Sequence, residues 1–265
     1  MSNQLPTPRD IERWVPSHFD QIIGCKMLKE HLADHLRMDS CGVNTLVFGE
    51  PGSGKTAAVK AYVRSLMCPF LDKTTLIPCG HCNACRTFDV RYEDSGLFTL
   101  AQDRVANGLS PINFFPVNCG AVTESQLRDL LDSRPQYDGR YLIYLDEVHR
   151  IIRRKMDHML LKPLEELDAT WIASTARPTE LDPMFLRRFS AKTTTEPPTT
   201  DELVRFLEAR CTEFSIEIES QSVLSLLARK CCGNTSKAMS VVAISAGRQS
   251  RRLTRDLVVQ FAVDL

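Results

Sequence analysis

Neither sign of charge prevails in this sequence. Its 265 residues carry 33 Lys and Arg against 33 Asp and Glu, a formal net charge of zero. No whole-molecule field therefore draws it to nucleic acid or to an anionic surface, and any such binding has to come from a local patch. A run of 18 apolar residues is also missing, and the stretch from Met1 to Pro16 is polar and punctuated by proline. These absences argue against a membrane span and a signal peptide, so the expectation is a soluble, cytoplasmic protein with no membrane partner. Internal repeats and low-complexity stretches are lacking too. What is present is ordinary for a globular chain: 43% apolar and 25% charged residues, enough length for one large domain and a small one.

Ten cysteines are many, but they are not spaced as a disulfide framework. Cys68, Cys79, Cys82 and Cys85 follow C-x10-C-x2-C-x2-C. Two-residue gaps let neighbouring thiolates turn onto one ion, and a distant first ligand closes the tetrahedron. Four thiolates leave no position for water, so the spacing predicts a structural Zn²⁺ that folds a small module over about residues 68–85. His81, inside the first gap, is expected to face solvent. Cys25, Cys41, Cys119, Cys211, Cys231 and Cys232 lie at or beside apolar segments and read as small buried thiols in a reducing compartment.

Alternation of strand and helix patterns predicts an α/β fold with a five-stranded parallel sheet. Strands are expected at Val43–Phe48, Ile112–Asn118, Tyr141–Leu145, Thr170–Thr175 and Ala191–Thr195. Helices are expected over Ala57–Leu66, Glu124–Leu131 and Ile151–Leu167. The window Phe88–Pro111 is too long for an ordinary connection and reads as an insertion. Glu196-Pro197-Pro198 breaks the chain, and only helical patterns follow, over 201–214, 221–231, 236–246 and 254–261. Thr200 suits the first start and Gly233 a stop. The expected domains are a nucleotide-binding unit, 1–197, and an all-helical lid, 198–265.

Residues 49–56 read Gly49-Glu50-Pro51-Gly52-Ser53-Gly54-Lys55-Thr56 and match G-x-x-x-x-G-K-[ST] at every fixed position. The glycines let successive N–H groups point into one concavity, and the helix that follows adds its positive end. Lys55 supplies a cation to the β- and γ-phosphates of ATP, and Thr56 a hard oxygen for Mg²⁺. Tyr141 to Glu147, Y-L-I-Y-L-D-E, is a buried strand delivering two carboxylates to the same sheet edge. Asp146 is the expected Mg²⁺ ligand and Glu147 the residue that polarises the attacking water.

With these motifs the chain resembles the AAA+ ATPases, and among them the tau/gamma subunits of bacterial DNA polymerase III clamp loaders. Pro16, Phe19, Ile22, Ile23 and Gly24 resemble the N-terminal box that packs around adenine. Asp146-Glu147-Val148-His149 and Leu160–Glu166 resemble the acidic motif and the helix after it. The resemblance also implies a zinc module between the first helix and second strand, where the four cysteines fall.

Further roles follow from the resemblance. Leu186-Arg187-Arg188-Phe189 stands where these subunits place an arginine that reaches a neighbour's ATP, with Arg188 ahead of Arg187. Ala176 occupies the place of a polar residue that senses the γ-phosphate, with Ser174 and Thr175 near enough to serve. Ser236 stands in place of the lid arginine, with Lys237 one residue on. Arg150, Arg153, Arg154, Lys155 and Lys162 against the lone Asp157 form a basic stretch for DNA phosphates. The expected partners are like subunits in a ring or arc, DNA, and a protein such as a sliding clamp. A third helical domain, which locks such subunits into a collar, would begin about where this chain ends. Two alternatives stay open: a stand-alone remodeller or mobile-element or defence ATPase, and a scaffold cemented by ATP with weak turnover.

Overall fold

The computed structural model describes residues 5–12, 14–92, 98–99, 101–132 and 139–262. The main sheet contains β1 (Thr45–Phe48), β2 (Phe98–Thr99), β3 (Ile112–Asn118), β4 (Arg140–Asp146), β5 (Thr170–Thr175) and β6 (Ala191–Thr194). Their spatial order is β2-β3-β4-β5-β1-β6. Five strands run parallel, as alternation predicts. The two-residue β2 adds antiparallel to β3 at the edge, so the sheet has six strands rather than five. β2 is too short to show a period in sequence.

The helices are α1 (Pro8–Glu12), α2 (Lys26–Arg37), α3 (Lys55–Met67), α4 (Asn83–Tyr92), α5 (Ala101–Ala106), α6 (Glu124–Asp132), α7 (His149–Arg153), α8 (His158–Leu161), α9 (Pro163–Glu166), α10 (Pro183–Leu186), α11 (Thr200–Glu213), α12 (Gln221–Cys231), α13 (Thr235–Ala246) and α14 (Arg255–Phe261). Part of the expected insertion at 88–111 lies outside the described residues; the remainder holds the end of α4, β2 and α5.

Successive strand residues face opposite sides, and the sheet is covered on both. Val47, Leu142 and Ile172 pack with Leu28 and Leu32 of α2 and Ala58 and Val59 of α3. Their neighbours Leu46, Ile143 and Ala173 pack with α6 to α10 through Leu127, Ile151, Leu160, Leu164 and Phe185. Burial on both faces is why these strands read as continuous apolar runs.

The single helix expected over 151–167 is broken. Lys155 takes left-handed backbone, φ 58, after α7, and Pro163 removes the N–H that would join α9 to α8. The basic stretch therefore does not line one helix face.

Beyond β6 the chain builds a separate core from α11 to α14. Thr199, one residue before the expected start, caps α11: its Oγ1 accepts from Glu202 N at 3.2 Å, and Glu202 Oε2 accepts from Thr199 N at 2.8 Å. This region is not purely helical, because β7 (Glu217–Ile218) and β8 (Arg252–Leu253) pair in parallel. Ile11 of α1 and the nearby Trp14 also pack into this core. Ile11 and Trp14 thus belong spatially with the C-terminal helices, whereas α2 packs on the sheet. Among the described residues no helix is long and apolar enough to cross a membrane.

Candidate active site

Parallel strands bring their C-terminal ends to one edge, and β1, β4 and β5 carry the chemistry there. β1 ends at Phe48 and opens into the glycine loop, whose Gly49 N donates to Thr175 O at 3.2 Å. Two glycines are fixed by close approach. A Cβ on Gly49 would lie 1.8 Å from Thr195 Oγ1, and one on Gly52 (φ 76) 2.1 Å from Asn234 Oδ1. Lys55 opens α3 with its side chain turned into the loop, where Nζ donates to Gly49 O at 2.7 Å and Glu50 O at 2.8 Å. Burial lowers its pKa, while the Asp146 carboxylate acts in the opposite direction.

Asp146 closes β4 opposite the loop. Thr56 Oγ1 lies 3.1 Å from its Oδ2, so a hydroxyl and a carboxylate converge on one point, a donor pair that fits a hard divalent cation. Asp146 Oδ1 accepts from Ser174 Oγ at 2.6 Å and from Tyr144 OH at 2.9 Å. Glu147 follows in left-handed backbone, φ 54, and its carboxylate is ion-paired with Arg150. Its N–H donates to Ser174 Oγ at 3.3 Å.

Ser174 is therefore the β5 hydroxyl that reaches the acidic pair. Thr175 is fully buried and committed elsewhere, with His149 Nδ1 at 3.1 Å and Arg177 N donating to it at 2.9 Å. Tyr144, two residues before Asp146 on the same strand face, could have been found from the period of two. Ser174 stands in the sequence as a substitute γ-phosphate sensor, but its bond to Asp146 is not legible there, since it depends on the β4–β5 register, Leu145 opposite Ala173.

Beside the loop lies a cleft of about 190 Å³ lined by Ile22 and Ile23, Gly52 and Gly54, and Ser236 and Met239 of α13. It joins the expected adenine box, the phosphate loop and the C-terminal helices. The start of α13 rests directly on the loop. Thr235 N donates to Gly52 O at 3.3 Å, Asn234 Nδ2 donates to Pro51 O at 3.4 Å, and Asn234 Oδ1 caps the helix by accepting from Lys237 N at 2.9 Å. Ser236 lines the cleft, so an uncharged residue stands where the resemblance would place an arginine.

The remaining expected residues lie outside this cluster. Arg187 is exposed, and Arg188 Nη1 is paired with Glu165 Oε1 at 2.8 Å. Arg153 forms two hydrogen bonds with Glu180, holding that carboxyl down at about 2, chiefly through the Arg153 hydrogen bond. Arg154 donates to Val122 O at 2.6 Å, and Lys155 is exposed.

The four cysteines do converge: their sulfurs all lie within 4.8 Å of one another, and those of Cys68 and Cys82 are 4.0 Å apart. Tetrahedral zinc with Zn–S bonds of about 2.3 Å needs separations near 3.8 Å. Backbone N–H groups of Cys79, Cys82 and Cys85 each donate to the preceding sulfur of the set at 3.4 Å, which favours thiolates. The donor set fits zinc. It is not an isolated module, because Cys68, Cys82 and Cys85 are part of the core around α2 and α3. His81 is exposed and stacks on Phe70. Of the other cysteines, Cys232 departs from expectation by being exposed, at the left-handed C-cap of α12.

Comparison with known proteins shows what the chain is similar to. The family profile described as ATPase family associated with various cellular activities (AAA) matches residues 99–197. The chain is 26% identical over 256 residues to the DNA polymerase III subunit tau/gamma of Haemophilus influenzae, across 93% of this chain and 33% of that protein. It is 27% identical over 158 residues to the DNA polymerase III subunit gamma of Buchnera aphidicola, across 58% of this chain and 38% of that one. The chain thus spans between a third and two-fifths of the length of these relatives. Its fold resembles that of the Thermotoga maritima RuvB Holliday junction branch migration motor, with a TM-score of 0.61 at 16% identity, covering 95% of this chain and 72% of that one.

Proposed function

We propose that this chain, an AAA+ ATPase resembling the DNA polymerase III tau/gamma subunits, works as one subunit of a ring or arc that couples ATP hydrolysis to action on DNA and a protein partner such as a sliding clamp. The observation that carries the reading is the convergence of Lys55, Thr56, Asp146 and Glu147 at the sheet edge where the glycine loop opens. ATP would place its base against Ile22 and Ile23 and its phosphates in the loop 49–56. Lys55 would exchange the Gly49 and Glu50 carbonyls for phosphate oxygens. Thr56 and Asp146 would hold Mg²⁺, which neutralises phosphate charge when bound. Ser174 and Tyr144 fix the Asp146 carboxylate. Glu147 is the group that accepts a proton from the attacking water. Arg188 would complete the site of a neighbouring chain, stabilising charge on the transferred phosphoryl group. Cys68, Cys79, Cys82 and Cys85 would hold a structural Zn²⁺.

The Arg150–Glu147 ion pair links the basic stretch to the reaction. Both side chains are half exposed, so the pair is weak and open to competition. DNA phosphates that draw Arg150 away would free Glu147 for catalysis. Arg153, Arg154 and Lys155 would supply further phosphate contacts without reading sequence.

The test compares ATPase rates of the chain alone, with primed DNA, and with primed DNA plus a sliding clamp. The expected result is stimulation by DNA that fades as salt rises. ATP binding with an equally slow rate in all three conditions would favour the scaffold reading, which the Arg150–Glu147 pair and the uncharged Ser236 also support.

A further inference from the structure

The turn that presents Arg188 is fastened on three sides. Phe185 and Phe189 flank it, both buried, with ring centroids 5.2 Å apart. Asn44, just ahead of β1, donates from Nδ2 to Arg188 O at 3.3 Å while its Oδ1 accepts from Trp171 N at 2.9 Å. The backbone of Arg188 is thus tied to two central strands at once. Its Nε is buried among the described residues, so the stem of the side chain is packed rather than free. Among the described residues the head is fixed by an ion pair from Nη1 to Glu165 Oε1 at 2.8 Å, with Glu165 coming from α9. Arg187 next to it is exposed and forms no ion pair among the described residues.

We propose that Glu165 is a positioning residue for Arg188, holding the guanidinium in one orientation so that a neighbour's phosphate meets a cation already set. The inference rests on the reading that Arg188 acts in trans. An arginine side chain has many rotamers, and freezing one at an interface opposes the reaction unless the freezing is done beforehand. The Glu165 contact occupies one N–H donor and Nε is buried, so the remaining N–H groups on the two terminal nitrogens are left for phosphate oxygens. Glu165 is half exposed, so its charge is screened and does not hold Arg188 against a polyanion.

The test uses mixed assemblies. In a mixture of Arg188→Ala and Glu147→Gln chains, the restored interface takes Glu147 from the first and Arg188 from the second. Glu165→Ala added to the Glu147→Gln chain, which donates the arginine, should lower kcat of the mixture by about 5- to 30-fold, the range that freezing one long side chain is worth. ATP affinity should stay unchanged. The same Glu165→Ala added to the Arg188→Ala chain should leave the rate alone. Glu165→Gln on the donor chain, which keeps an acceptor oxygen, should recover part of the loss. A general folding defect would act on either chain, so equal losses from both placements overturn the proposal. So does a donor-side Glu165→Ala with the full rate. A mixture of the parent pair with no restored activity at all overturns instead the shared-site reading beneath it.

Discussion

Glu147 combines two features that stability alone does not favour. It is a non-glycine residue in left-handed backbone, and its half-exposed carboxylate is ion-paired with Arg150. Backbone of this kind costs on the order of 1–3 kcal/mol and collects at sites where a side chain must be aimed. Replacing Glu147 with Gln keeps the shape and removes the base. ATP affinity should hold while turnover falls by about 10²- to 10⁴-fold, the usual worth of general base catalysis. Lys55→Ala should instead weaken ATP binding itself, read by nucleotide titration. If Glu147→Gln turns over at the parent rate, Glu147 is not the base. The glycine loop and the Asp146-Glu147 pair were legible because backbone demands and strand length leave marks in the chain itself. Arg150 on Glu147 and Ser174 on Asp146 depend on side-chain rotamer and strand register, which leave none.

The cysteine set belongs to the same scale. Metal analysis of purified chain should find one zinc per molecule, and Cys82→Ser should lower both the zinc content and the melting temperature. Three of the four sulfurs come from residues in the core around α3, so loss of the metal should loosen that core. Four freely titrating thiols in native protein, with no zinc, would end the assignment.

Among the C-terminal helices, α13 rests on the loop of the nucleotide site. Its cap, Asn234, sits where Gly52 has no Cβ and bonds the loop at Pro51 O. The C-terminal helices can thus follow the loop's backbone, with no charged side chain at Ser236 to read phosphate. Asn234→Ala removes the cap and this contact together. It should cost about 1 kcal/mol of stability for the cap and weaken ATP binding several-fold, whereas Thr254→Ala, which removes the cap of α14 where Oγ1 accepts from Leu257 N at 3.3 Å, should affect stability alone. Equal nucleotide affinities for both variants would show that the contact carries no coupling. The helix start was visible in the sequence only to within a residue, and its seat on the loop was not visible. The break between α7 and α8 was hidden as well, because an apolar period continues through a left-handed Lys155 that no glycine or proline announces. A lysine at positive φ is uncommon and leaves no mark in the apolar period, so the pattern alone predicts the wrong single helix.

At the scale of the molecule, the chain carries two cores joined beside the nucleotide cleft. The sheet and its helices were readable from alternating patterns, since both faces of each strand are buried. The placement of α1 and Trp14 in the C-terminal core was not, because it joins the two ends of the chain and no local period records such a contact. In the shared-site mechanism no single chain owns a complete active site. Specific activity should then rise with protein concentration until assembly saturates, and Arg188→Ala alone should lose turnover by about 10³- to 10⁵-fold while keeping its ATP affinity. The direct measurement is the ATPase rate of Arg188→Ala mixed with Glu147→Gln, under conditions where subunits demonstrably exchange. The shared-site mechanism predicts activity well above the sum of the two parts, from interfaces that pair an intact Glu147 with an intact Arg188. A mixture no more active than its components would contradict it.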